Sequence, residues 1–502
     1  MTAQPAGEAG ESTWDVVVIG GGPPGENAAS FAIDGSDRSA AIVEAERLGG
    51  ECSFWACMPS KALLRPVEVL RAAQALPGVP VGDRLDVGAV LRRRDAFVHD
   101  LDDTSQVEWA SGVGIDVVRG RGRLVGERTV EVSTGGRART LHARHAVVLA
   151  TGSRPRLPDV PGLREALPWT SRDVTNLHEV PERVIVLGGG VVGCEAAVWL
   201  QALGAQVTVL VGSRLLSSAE PFAGDLVAER FRELGIDLRT GAKVERVART
   251  DPGPVVTGHR HGGEVRVTVD GTELVADELV VATGRVPASD DLGLDAVGLS
   301  AAGLGTHGAV LTDAHQTVTG VPGAWLYAVG DVTGRALLTH QGKYQARLAG
   351  AVIAARAEGR PLDGPDAWRY RNRVDGPDGA AVPQVVFTDP QVASVGLTER
   401  QAREAGVDVE TVAYDLGAVA GAALLRDGYR GRAQLVIDRS ADVIVGATFA
   451  GPEVDELLHA ATVAVVGRVP VSTLWHAVPA YPTVSEVWLR LLEALLEARD
   501  RG

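Results

Sequence analysis

Two stretches of this chain repeat one pattern, and together they restrict the fold more than any other feature. In the first, the apolar run Asp15-Val16-Val17-Val18-Ile19 leads into Gly20-Gly21-Gly22-Pro23-Pro24-Gly25 and an Ala-rich helix from Glu26 to Ala32. In the second, Arg183-Val184-Ile185-Val186-Leu187 leads into Gly188-Gly189-Gly190-Val191-Val192-Gly193 and the helix Cys194-Glu195-Ala196-Ala197-Val198-Trp199-Leu200. A G-x-G-x-x-G placed between a buried strand and a helix is a dinucleotide fingerprint: its glycines allow a tight turn and close approach of a pyrophosphate to the helix N-terminus. Pro23 and Pro24 suit a first helical turn, where amides have no intrahelical acceptor. Two such fingerprints imply two dinucleotides.

The strand that follows each fingerprint separates the two ligands. Ser39-Ala40-Ala41-Ile42-Val43 ends at Glu44, where a carboxylate can hold both ribose hydroxyls of an unphosphorylated adenosine, such as that of FAD. Gln206-Val207-Thr208-Val209-Leu210 ends in Val211-Gly212-Ser213-Arg214 with no acid, and an arginine there suits a 2′-phosphate. NADPH is therefore favoured over NADH, with a solvated loop arginine as the alternative. Each unit closes on an Ala-Thr-Gly exit, Ala150-Thr151-Gly152 and Ala282-Thr283-Gly284, where a glycine lets backbone approach a cofactor. Trp325-Leu326-Tyr327-Ala328-Val329-Gly330-Asp331 reads as a buried strand ending in a glycine and an acid suited to a ribityl chain.

The third feature is Gly49-Gly50-Glu51-Cys52-Ser53-Phe54-Trp55-Ala56-Cys57-Met58-Pro59-Ser60-Lys61, which holds two of the three cysteines. Residues five apart in a regular helix are separated by about 7.5 Å along the axis, beyond the Cα separation of about 4.4–6.8 Å that a disulfide tolerates. Redox-active pairing therefore requires Cys52 in a bent entry to the helix and Cys57 in its first turns, with Gly49 and Gly50 supplying the backbone freedom. A helix N-terminus favours the thiolate. Buried apolar cysteines and half of a zinc site are the alternatives; zinc wants about four ligands, and the remaining cysteine, Cys194, is distant in sequence, so no metal is expected. Lysine occurs only at Lys61, Lys243 and Lys343, which draws notice to Lys61 in an arginine-using chain.

Length and charge bound the rest. A chain of 502 residues accommodates about three domains, and a net charge of −15 argues against a nucleic-acid partner. Met1 to Thr13 lack the basic start and apolar run of a signal peptide, and no stretch approaches the roughly 18 apolar residues of a membrane helix. A cytoplasmic protein is expected, in which a close cysteine pair is more plausibly catalytic than structural. The expected division is a disordered tail 1–13, an FAD-binding domain 14–160 resumed at 286–357, an NAD(P)-binding domain 161–285, a Pro/Gly-rich linker 358–382 and a last domain 383–502. Leu63 to Leu101 read as helical. The last domain reads as strands near Gln384–Phe387, Ala433–Ile437 and Val443–Ala447, with helices starting at Thr398 and Glu453.

From Trp14 to about Leu495 the chain resembles the flavoprotein disulfide reductases, the family of dihydrolipoyl dehydrogenase and of glutathione, mycothione and mercuric reductases. The resemblance rests on both fingerprints, the cysteine pair with Pro59-Ser60-Lys61, both Ala-Thr-Gly exits, Ala328-Val329-Gly330-Asp331, Phe387-Thr388-Asp389-Pro390 and Val395-Gly396-Leu397-Thr398-Glu399. It implies an α/β fold of two Rossmann-like domains plus a C-terminal α+β dimerisation domain, a homodimer whose C-terminal domain completes the partner's active site, and electron flow from NAD(P)H through FAD to a disulfide that reduces the substrate. By position, Cys57 is the thiolate facing the flavin, Cys52 the interchange thiol, Lys61 pairs with Glu195 near the flavin, and Asp331 binds the FAD ribityl chain.

One departure stands out. The family pattern His-x-His-Pro-Thr-x-x-Glu is replaced by Pro479-Ala480-Tyr481-Pro482-Thr483-Val484-Ser485-Glu486, so Tyr481 occupies the acid/base position while the orienting Glu486 remains. A phenol titrates near 10 and an imidazole near 6.5, so Tyr481 is a poor base at neutral pH but still a hydrogen-bond donor. His476 reads as a packed or surface histidine. Phe54 and Trp55 are bulky beside the cysteines, either narrowing access or packing in the core. These departures leave open a quinone or metal-ion acceptor, or a redox-sensing flavoprotein with little turnover, beside a small disulfide. Mercuric reductases also carry a C-terminal cysteine pair that this sequence lacks.

Overall fold

The computed structural model describes residues 12–375 and 380–501. The chain divides into two compact units, one from residues 1–54, 98–154 and 285–379, the other from residues 55–97, 155–284 and 380–502. Residues 1–11 of the expected tail and 376–379 of the expected linker lie outside the described residues.

The first unit is built on a sheet whose parallel strands run in the order Ile115–Arg119, Ala40–Glu44, Ser12–Ile19, Arg137–Leu149 and Leu326–Ala328. The hairpin Arg121–Gly126 and Thr129–Thr134 adds antiparallel to Arg137–Leu149. Both faces are covered, as a parallel sheet requires. Val16, Val18, Ile42 and Val148 face a core shared with the helices Pro23–Ile33 and Thr339–Ala357; Val17, Ile19, Val43 and Leu149 face a second core with Leu124, Val130 and Leu326. Every second residue thus serves a different core, which explains why the strand reads as a continuous apolar run. A Cβ on Gly350 would come within 2.6 Å of Phe31 Cβ, so glycine permits the two helices to pack closely. Ser12 and Thr13, assigned to the tail by sequence, instead pair with Leu141 and His142, extending the strand before its apolar run begins.

The second unit carries a four-stranded parallel sheet in the order Asp237–Thr240, Gln206–Val211, Arg183–Leu187, Glu278–Val281, the second Rossmann-like arrangement. It also carries a three-stranded antiparallel sheet and a five-stranded antiparallel sheet from residues 384–451. The last sheet includes Gln391–Gly396 and Val409–Asp415, strands absent from the sequence expectation. Each starts directly after turn or polar residues and lacks a long apolar run, so pairing rather than composition defines it.

Three sequence expectations are corrected. Leu63 to Leu101 is not one helical run: Cys57–Gln74 and Val87–Phe97 are separated where Leu76-Pro77-Gly78-Val79-Pro80 removes amide donors and favours extended backbone. The helix expected at Glu453 begins at Leu458, after a single turn of 3-10 helix, because Glu453 adopts φ +55°. The stretch read as a linker is partly core: Tyr370, Asn372 and Asp375 are buried, and Asp375 accepts hydrogen bonds from Asn372 Nδ2 at 2.5 Å and Gln345 Nε2 at 2.6 Å. No helix among the described residues is long and apolar enough to cross a membrane.

Candidate functional site

In the first unit, each glycine of the first fingerprint has a distinct steric reason. A Cβ on Gly20 would lie 2.4 Å from Ala150 O, and one on Gly25 would lie 1.9 Å from Gly20 O, so neither position tolerates a side chain. Gly22 meets nothing nearer than Pro24 Cδ at 3.9 Å, which leaves its face open for a ligand. Pro23 and Pro24 occupy the first two helical positions, as expected. Glu44 Oε2 accepts the Gly21 amide at 2.7 Å and Oε1 accepts the Glu46 amide at 2.7 Å. Each oxygen retains a lone pair for a ribose hydroxyl. Burial pushes the Glu44 carboxyl up, with the two amides opposing it. Gly50, at φ +57°, packs back against Gly22, where a Cβ would be 2.8 Å from the Gly22 Cα.

Farther along the same sheet edge, Gly152 takes φ +74° with open space at its Cβ, and Thr151 Oγ1 donates to Ala288 O at 2.7 Å. Gly330, at φ +77°, donates its amide to Gln345 Oε1 at 2.7 Å. Asp331 accepts a 2.5 Å hydrogen bond from Ser153 Oγ, which in turn accepts from Arg285 Nε at 2.7 Å. Burial raises the Asp331 carboxyl, opposed by Ser153 and by the Arg285 charge. Ser153 and Arg285 escaped the sequence reading, although each follows an Ala-Thr-Gly exit within one residue. An open glycine loop, a carboxylate at the end of the strand Ala40–Glu44 and a buried acid just after the strand Leu326–Ala328 form a cradle that fits FAD.

In the second unit the second fingerprint repeats the geometry. A Cβ on Gly188 would lie 2.3 Å from Ala282 O, one on Gly193 would lie 2.1 Å from Gly188 O, and Gly190 has nothing within 4 Å. Gly284 takes φ +115°. The strand end is apolar here: a Cβ on Gly189 would be 2.8 Å from Val211. Arg214 Nη2 donates to Ala219 O at 2.9 Å and Ser217 O at 3.3 Å, closing its own loop, while its Nη1 has no hydrogen-bond partner among the described residues.

Cys52 lies in the short helix Gly50–Phe54, and Cys57 is the first residue of the separate helix Cys57–Gln74. Ala56 between them is non-helical (φ −136°, ψ −93°), and Gly49 has φ +107°, so the chain bends between the two cysteines, both of which are present as thiols. One turn on from Cys57, Lys61 Nζ donates to both oxygens of Glu195, at 2.8 and 3.1 Å. Glu195 is buried on the helix Val191–Ala202, and its Oε1 also accepts the Phe387 amide at 3.0 Å. The neighbouring Cys194 is fully buried, its thiol pushed far up by burial, which makes it inert toward thiolate chemistry.

Phe54 is wholly buried and Trp55 nearly so, with Arg172 stacked 4.2 Å over the indole, so core packing is the outcome for both. Tyr481 is 75% exposed. Glu486 is buried and engaged by Arg490 Nη2 at 2.6 Å, while its Oε2 has no hydrogen-bond partner among the described residues. His476 is a surface residue.

Residues 14–357 match the family described as pyridine nucleotide-disulphide oxidoreductase, and residues 382–492 match the dimerisation domain of the same family. The chain is 31% identical to a dihydrolipoyl dehydrogenase of Chlamydia muridarum, over 95% of each protein. It is 33% identical to a mercuric reductase of Streptomyces lividans, over 94% of each. Among solved structures, LpdA from Mycobacterium tuberculosis shares the fold (TM-score 0.79, 24% identical, covering 96% of this chain and 99% of that one). A Cu(II) complex of the HOCl-induced flavoprotein disulfide reductase RclA from Escherichia coli, in a Cys-to-Ser variant, matches with TM-score 0.77 and 25% identity over the same shares. With two dinucleotide cradles and a dimerisation domain in one chain, this protein belongs to the pyridine nucleotide-disulphide oxidoreductases, enzymes that use FAD and NAD(P)H.

Proposed function

We propose that this enzyme reduces a small disulfide, in the manner of a dihydrolipoyl dehydrogenase, as a cytoplasmic homodimer, with Cys52 and Cys57 as its redox-active pair. The observation that carries the reading is the Lys61–Glu195 pair: a lysine one turn after Cys57 is held by both oxygens of a buried carboxylate. A buried carboxylate is costly to desolvate, and one held at two points by a lysine is kept where a fixed charge is useful.

When bound, FAD supplies hydride acceptance from the nicotinamide and two-electron transfer to the disulfide. The chain's own part is positional. Glu44 and the Gly22 loop hold the adenosine end, Asp331 the ribityl chain, and Gly188, Gly190 and Gly193 the nicotinamide dinucleotide. Cys57, at a helix N-terminus, is stabilised as thiolate, and Cys52 is left to attack substrate. Tyr481 donates a hydrogen bond or proton at the substrate.

Tyr481 also favours a second reading, in which the acceptor is a quinone or metal ion that needs no proton shuttle from the protein. In place of a titrating imidazole stands a phenol three-quarters open to solvent. The discriminating experiment is Cys52→Ser, assayed against small disulfides, quinones and metal ions with NADH and NADPH in turn. Loss of all acceptor reduction supports the disulfide route; retained quinone reduction supports the second reading. Tyr481→His is expected to raise lipoamide reduction near pH 7, toward the ~10²-fold that positioned acid–base groups contribute. No increase would mean that proton transfer at this position does not limit the reaction.

A further inference from the structure

We infer that Phe387 is a positioning residue for the Lys61–Glu195 pair, holding both members at once, and that Asp389 anchors it there. This rests on the role proposed above for that pair. Phe387 touches the two charges through different groups. Its backbone amide donates to Glu195 Oε1 at 3.0 Å, and its ring lies under the Lys61 ammonium, 4.7 Å from Nζ to the centroid. An aromatic face attracts a cation electrostatically, so ring and carboxylate draw the ammonium from two directions. The restraint matters because the Lys61 side chain is 37% exposed while that of Glu195 is 4% exposed. Without the ring, the half-open lysine keeps only the Glu195 carboxylate and a 3.3 Å hydrogen bond to Ser60 Oγ, and its ammonium has a wider range toward solvent.

Two residues on, the same segment is fixed to the protein by an unusual charge arrangement. Asp389 meets three guanidinium groups: Arg230 Nε at 2.9 Å, Arg426 Nη1 at 3.3 Å and Arg71 Nη1 at 3.5 Å. Burial alone would raise the Asp389 carboxyl, but the three arginines outweigh it and hold it below the ordinary range. Arg71 lies on Cys57–Gln74, the helix that also carries Lys61. The segment therefore meets that helix at two points, Phe387 on Lys61 and Asp389 on Arg71, and its register along the helix is set. Thr388 Oγ1 stiffens the link by donating to Pro390 O at 2.7 Å.

The test uses the FAD-loaded enzyme and exploits the scarcity of lysine. Acetylation of Lys61 by acetic anhydride is read by mass spectrometry against Lys243 and Lys343 as internal standards, and flavin reduction is followed by stopped flow. Phe387→Leu keeps the amide and removes the ring; it is expected to raise relative Lys61 acetylation about five-fold and to slow flavin reduction roughly five- to thirty-fold, the range of a partly desolvated cation–π contact. Phe387→Tyr is expected to restore both to within about two-fold, and Asp389→Asn to move acetylation about two-fold in the direction of the leucine variant. Phe387→Met provides the same comparison should the leucine variant not fold. Unchanged Lys61 acetylation without the ring, or a tyrosine variant as impaired as leucine, overturns the inference. If Lys61→Met leaves flavin reduction untouched, it is the proposed role of the pair that falls, while acetylation still decides the question of positioning.

Discussion

The two fingerprint loops obey the same steric rule but end in different chemistry. Gly25 and Gly193 are equivalent: a side chain on either would run into the carbonyl of the loop's first glycine, at 1.9 and 2.1 Å. The residues around them diverge. Pro23-Pro24 opens one helix and Val191-Val192 the other; Glu44 clasps the first loop through the Gly21 amide, whereas the second faces Val211. The residue after the last glycine is Glu26 in one case and the inert Cys194 in the other. A loop clasped by its own carboxylate suits a resident prosthetic group, and an uncommitted apolar edge suits a ligand that comes and goes. The backbone shape is what a pyrophosphate requires, and the strand-end side chains decide which dinucleotide stays.

The largest effect expected from this contrast comes from adding one methyl group to each loop. Gly25→Ala should give protein without a flavin spectrum, while Gly193→Ala should remain yellow with nicotinamide oxidation reduced about 10- to 100-fold, the scale of a ~1–3 kcal/mol overpacking penalty. If Gly193→Ala also loses its flavin, the assignment of one ligand to each loop is wrong.

A smaller effect should appear in pH dependence, where only the first loop's last glycine is followed directly by an acid. Burial pushes Glu26 up from 4.5 to about 7, with Lys343 opposing and Glu44 adding to the shift. Between those values the folded protein holds a proton that the unfolded chain has released. Its contribution therefore favours folding at low pH and is lost as pH rises toward 7. Urea midpoints should show about 1–3 kcal/mol less stability at pH 7.5 than at pH 4.5 from this group, a component that Glu26→Gln abolishes. An unchanged profile in the glutamine variant would show that Glu26 is ionised throughout. Cys194→Ala in the second loop should leave the profile as it is.

The smallest effect concerns Arg214. Because its guanidinium closes its own loop, Arg214→Met should cost about 1 kcal/mol of stability and shift the NADPH/NADH ratio of kcat/KM by less than about two-fold. A tenfold swing toward NADH would instead place the arginine on a 2′-phosphate.

Much of the architecture and the cofactor chemistry was legible before any coordinates. Strand, glycine turn and helix are encoded within about 20 residues, and local sterics leave few ways to satisfy them. A bend between Cys52 and Cys57 was expected from the span that a disulfide between them would tolerate, and the chain does bend there. What stayed hidden was whatever depends on partners distant in the chain. The strands Gln391–Gly396 and Val409–Asp415 exist through pairing with residues 432–451. Arg214, in sequence a charge beside a phosphate site, is in the folded chain a clamp on two carbonyls.

Amino-acid order was enough to read two dinucleotide loops, a cysteine pair at a helix entry and a tyrosine before Pro482-Thr483, because each is written in contiguous residues. Only folding could bring Glu195 and Phe387 onto Lys61, place Ser153 on Asp331 and gather three arginines around Asp389. Those contacts join residues up to hundreds of positions apart, and no local periodicity records where a long side chain finally points.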